Sequence, residues 1–168
     1  MYSMQPAQIS LCMFFLNLVI LEMVINMKND QQMLSFILTT TQAGQISIQK
    51  VLDTSMRPAL RKALQTQLRE YDSIDSEAYA LATQRGWELH EIQPGKRLAT
   101  GITTRIKLNH RNTDSQIADM MIQSNTRGMI QGLKNLHQYQ QQDSQVSSLS
   151  QRLLDCETAN IRQMQSFL

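Results

Sequence analysis

The chain is short of the residues that interrupt helices and of those that build sheets. It has six glycines and three prolines, and its aromatics amount to four phenylalanines, four tyrosines and one tryptophan. Runs of alternating β-branched and aromatic residues are all but missing, which argues against a sheet-based fold. Its two cysteines, Cys12 and Cys156, stand far apart and form no C-x-x-C pair. That excludes a disulfide framework and a zinc-ribbon arrangement, and it suits a reducing compartment with Cys156 as a small apolar helix residue. A formal net charge of +2 is too small to make nucleic acid an obligate partner. No Gly-rich phosphate loop, no G-x-S-x-G turn and no nucleophile–base pair at an informative spacing occurs, so no catalytic residue and no bound cofactor are assigned.

What is present favours helices. Gln fills about one position in eight and Met occurs 11 times in 168 residues. Such unbranched side chains lose little freedom in a helix. The length fits one domain with a substantial core. All-α is the expected class.

The most apolar run, ISLCMFFLNLVILEMVI at 9–25, contains Asn17 and Glu22 and falls short of a clean membrane span. It lacks the basic region and cleavage site of a secretory signal. Residues 1–26 are therefore expected to be an extension from a start set too early, with the protein beginning at Met27. A membrane tether at 9–25 is the next reading.

From 27 onward the spacing predicts four amphipathic helices. The first covers 30–52, with Asn29 or Asp30 as cap and a stripe of Met33, Phe36, Ile37, Thr40, Gly44, Ile48 and Val51. The second covers 57–85. Thr54 or Ser55 can cap it, Pro58 is tolerated in its first turn, and Gly86 can stop it. Its stripe is Leu60, Leu64, Leu68, Tyr71, Ile74, Ala78 and Leu81, and Trp87 is expected to pack over its end. A long connection with a Pro94–Gly95 turn follows, then a short helix at 97–109. The third long helix is expected at 114–141, capped by Thr113 or Asp114, and its inner face uses Ile117, Met120, Met121, Ser124, Gly128, Gln131 or Gly132, and Leu136. Asp143 or Ser144 caps the fourth, whose stripe is Val146, Leu149, Leu153, Cys156, Asn160, Met164 and Phe167. Four helices with one long crossover between the second and third predict an antiparallel four-helix bundle of ferritin-like topology, with a plain up-down bundle as alternative.

A dinuclear metal site in such a bundle takes a Glu from each of two helices and Glu-x-x-His from each of the other two. Here Glu70 is followed by Ser73, and Glu157 by Asn160, where the motif needs His. The first helix has no Glu, nor does the long part of the third, and His90, His110 and His137 fall elsewhere. No metal site is expected, only degenerate positions at Glu70, Ser73, Glu157 and Asn160. Asp75, Glu157 and Asn160 are instead expected to form a structural polar network, with Arg127, Arg152 or Arg162 as pairing partners. Buried groups of this kind must find partners or each costs about 1–3 kcal/mol. The basic stretch Lys96, Arg97, Arg105, Lys107 and Arg111 lacks interleaved aromatics and reads as a solvated face.

The stretch SMRPALRKALQTQLREYDSIDSEAYALATQRGW resembles the spore coat F (CotF-like) proteins of endospore-forming Firmicutes. The likeness lies in the Pro-containing start at Arg57–Leu60, Leu64 and Leu68, the acidic turn at Asp72–Glu77, and the ending Gln84–Trp87. LTTTQAG in the first helix fits the same module, and the last two helices are similar to the companion pair of clostridial members. Some relatives place a His in the acidic turn, where this chain has only Asp, Ser and Glu. The resemblance implies a ferritin-like bundle without metal ligands and no catalytic residue. It also implies a non-enzymatic structural role at the spore coat or in the mother-cell cytoplasm, with self-association and other coat proteins as partners. The competing expectation is a ferritin-like oxidoreductase or metal-storage protein with a non-standard site on Glu70, Asp75 and Glu157.

Overall fold

The computed structural model describes residues 29–89, 113–139 and 143–168. Among them it is all-helical, with four helices and no strand: α1 (Asp30–Leu52), α2 (Pro58–Arg85), α3 (Thr113–Gln138) and α4 (Ser144–Gln165). The apolar segment 9–25, the Pro94–Gly95 turn, the short helix expected at 97–109, the basic stretch, His90 and His110 lie outside the described residues. So does the stretch 140–142, and the third helix ends at Gln138.

Local chemistry sets the ends of the helices. Asn29 caps α1 with a capping box: its side chain accepts from the Gln32 N–H at 2.9 Å, and the Asn29 N–H donates to Gln32 Oε1 at 3.1 Å. The expected caps Thr54 and Ser55 are not used by α2. Arg57 occupies the cap position without a side-chain bond, and Pro58 opens the helix with φ already set. Arg57 instead pairs with Asp114 in the first turn of α3. Gly86, at φ 67°, closes α2 in the left-handed region, and the Trp87 N–H donates to the Ala82 carbonyl at 2.9 Å. Asp143 caps α4 by accepting from Gln145 and Val146 N–H, and Arg85 donates to the same carboxylate at 2.7 Å.

One core runs through the four helices, from Met33, Ile37 and Ile48 in α1 to Leu64, Tyr71 and Ile74 in α2, Ile117 and Met121 in α3, and Leu149, Leu153 and Met164 in α4. Leu68, Phe36, Met120, Leu136, Cys156 and Phe167, expected on the inner stripes, are partly buried at its margin. The α1 face is wider than a single stripe because the helix packs on all three others, which buries Leu34, Leu38 and Thr41 as well.

The packing is most extensive between α1 and α2 and between α3 and α4; α2 also lies on α4, and α1 on α3 and α4. Partners run in opposite order along α1 and α2: Gln31 donates to the Glu88 carbonyl, Thr41 to Asp75 and Gln45 to Asp72. The same reversal links α2 with α4, where Gln67 meets Gln163, Tyr71 meets Glu157, and Arg85 meets Asp143. At the far end of α3, the Tyr139 hydroxyl donates to Asp30 at the start of α1. No described helix is long and apolar enough to cross a membrane.

Candidate polar site in the helical core

Tyr71 lies on the inner stripe of α2, where an aliphatic residue would bring no hydroxyl. Its ring fits because α1 offers Gly44: a Cβ there would stand 2.8 Å from Cζ and 2.9 Å from Cδ2 of the ring. The hydroxyl reaches the middle of the core. It donates to Glu157 Oε1 at 3.1 Å, and it accepts from Asn160 Nδ2 at 3.5 Å. Asn125 Oδ1 of α3 lies 3.4 Å away. A phenol carries one proton, so Glu157, the nearer acceptor, takes it.

Glu157 is 2% exposed and has no cation partner among the described residues. Burial pushes its carboxyl up to about 8, and the hydrogen bond from Tyr71 only partly opposes this. At neutral pH the group is mostly a neutral acid. Burial and the adjacent Glu157 hold the Tyr71 hydroxyl well above its ordinary value. The Cys156 thiol is pushed up to about 12 by burial and by Glu157 and Glu70, which makes it a poor nucleophile. Gly128 of α3 faces the carboxyl, since a Cβ there would be 3.0 Å from Glu157 Oε1. Three atoms in or beside this cluster have no hydrogen-bond partner among the described residues: Glu157 Oε2, Asn125 Nδ2 and Gln67 Oε1.

Two clefts flank the cluster. The one between α1 and α3, about 380 Å³, has Phe36, Gly44, Asn125, Arg127 and Glu157 in its lining. The other, about 500 Å³ between α2 and α4, has Glu70, Arg152, Cys156 and Asn160.

Glu157 and Asn160 are thus brought together, through the Tyr71 hydroxyl. Asp75 is not part of this group: it is half-buried and accepts from Thr41 at 2.7 Å. Nor do the arginines join it. Arg152 donates to Glu77 at 2.6 Å and to Ser73 at 2.8 Å and lies 4.0 Å from Glu70, all at the surface. Glu70 and Ser73 therefore face an arginine in solvent, while Glu157 and Asn160 face the core. Glu70, Asp75 and Glu157 occupy three separate environments, and no group of three His, Cys, Asp or Glu gathers among the described residues. His137 is exposed in the last turn of α3.

Tyr71 and Asn125 were not expected at the centre of a polar site. The available signal was a hydroxyl-bearing residue in the aliphatic stripe of α2, which must find a partner when buried. Asn125 gave less, since it adjoins the Ser124, Gly128 and Gly132 series without belonging to it. In comparisons with known proteins, no family model, no curated protein and no solved structure matches the chain.

Proposed function

We propose that the protein is a non-enzymatic structural or interaction protein, an antiparallel four-helix bundle of ferritin-like connectivity whose interior cluster sets helix register. The observation that carries this reading is the position of Tyr71. Its ring and hydroxyl fill the space that Glu157 and Asn160 face, and they bond to both. The Tyr71 hydroxyl stands against Glu157 Oε1, so a cation approaching that oxygen would have to displace the phenol. A polar cluster that spans three helices does favour one register over its neighbours, because a shift of one turn would strand its members in apolar surroundings.

The order of partners supports the connectivity. Arg57 at the start of α2 pairs with Asp114 at the start of α3, so these two helices begin at the same end of the bundle. The resemblance to spore coat F proteins supplies the setting: the spore coat or mother-cell cytoplasm, with further copies and other coat proteins as partners. Many exposed glutamines offer hydrogen bonds for such contacts. The oxidoreductase or metal-storage reading would need Glu70, Asp75 and Glu157 to converge; that no group of three His, Cys, Asp or Glu gathers among the described residues supports the structural reading over it.

Elemental analysis and thermal unfolding of the wild type and Glu157→Ala test the structural role together. The expected result is a lower Tm for the variant and no stoichiometric metal in either protein. Stoichiometric iron, manganese or zinc that disappears with Glu157 while Tm holds would replace this reading with the metal-site one. Antibody labelling of fractionated cells tests the setting, and signal confined to vegetative cells would remove the coat assignment.

A further inference from the structure

We draw no further inference here: the strongest candidate, the exposed apolar patch that Ile130 and Leu133 form on the outer face of α3, carries nothing because no feature of the structure shows what covers it.

Discussion

Glu157 decides most of the chemistry at the scale of single residues, and its protonation state is tied to folding. In the unfolded chain its carboxyl titrates near 4.5; in the folded core burial raises it to about 8. The stability that comes from keeping the group neutral is fully present below about 4.5. It is lost as pH rises toward 8, because the unfolded chain releases the proton first. The slope is at most about 1.4 kcal/mol per pH unit. Urea unfolding of the wild type from pH 4.5 to 9 should show this decline, and Glu157→Gln should flatten it. An identical slope in both proteins would mean that the carboxyl is ionised in the fold. Tyr71→Phe removes the hydroxyl that joins Glu157 and Asn160. It should cost about 1–3 kcal/mol by urea unfolding, because the partners stay buried without it. Asn160 was legible as inward-facing from helical spacing, whereas that spacing put Cys156 rather than Glu157 on the stripe, and it is Glu157 that is buried. The meeting point of Glu157 and Asn160 on Tyr71 was not legible, since it depends on which helices are neighbours. Asp75 shows the same gap: its spacing is close to the stripe, yet it turns to Thr41.

At the scale of elements the sequence was most readable where spacing and punctuation agree. Asn29, Pro58, Gly86 and Asp143 stand at helix ends, and the chemistry of each suits its place. The start of α2 was misread because Thr54 and Ser55 are good caps in isolation, whereas Pro58 and the pairing of Arg57 with Asp114 fix the boundary further on. A cap is a preference worth about 1 kcal/mol, so tertiary contacts override it easily. Asp143 combines both effects. Arg85 and the N–H groups of Gln145 and Val146 hold its carboxyl below the ordinary range, against the opposing effect of burial. Asp143→Ala should destabilise by about 1–2 kcal/mol, with the loss visible as faster hydrogen exchange in the first turn of α4. Gly44 marks where α1 approaches α2 closely, and the substituted Cβ would meet a rigid ring rather than a flexible chain end. Gly44→Ala should therefore cost about 1–3 kcal/mol, against the small gain that alanine brings to an open helix. Unchanged or raised stability in thermal unfolding would show that the Tyr71 ring is free to move aside.

For the whole molecule, what spacing could not settle is the order in which the helices neighbour one another. Amphipathic stripes say that four faces are buried together, and they fit a ferritin-like connectivity as well as a plain up-down bundle. The two arrangements differ in where α3 begins. In an up-down bundle it starts beside the end of α2, near Arg85; with a long crossover it starts beside the beginning of α2. The pairing of Arg57 with Asp114 favours the second. The ends of α2 are separated by its 28 residues, about 40 Å at 1.5 Å per residue. That difference is large enough for spin-label distances. Ala59, Gln84 and Asp119 are exposed and can carry labels, with Cys12 and Cys156 replaced by alanine. The ferritin-like connectivity requires Ala59→Cys with Asp119→Cys to give a short separation. Gln84→Cys with Asp119→Cys should then read longer by most of the helix length. The reverse order of distances would make the molecule an up-down bundle. It would also remove the architectural half of the coat-protein reading, while leaving the core cluster on α2 and α4 intact, since Tyr71, Glu157 and Asn160 meet across that one pair of helices in either case.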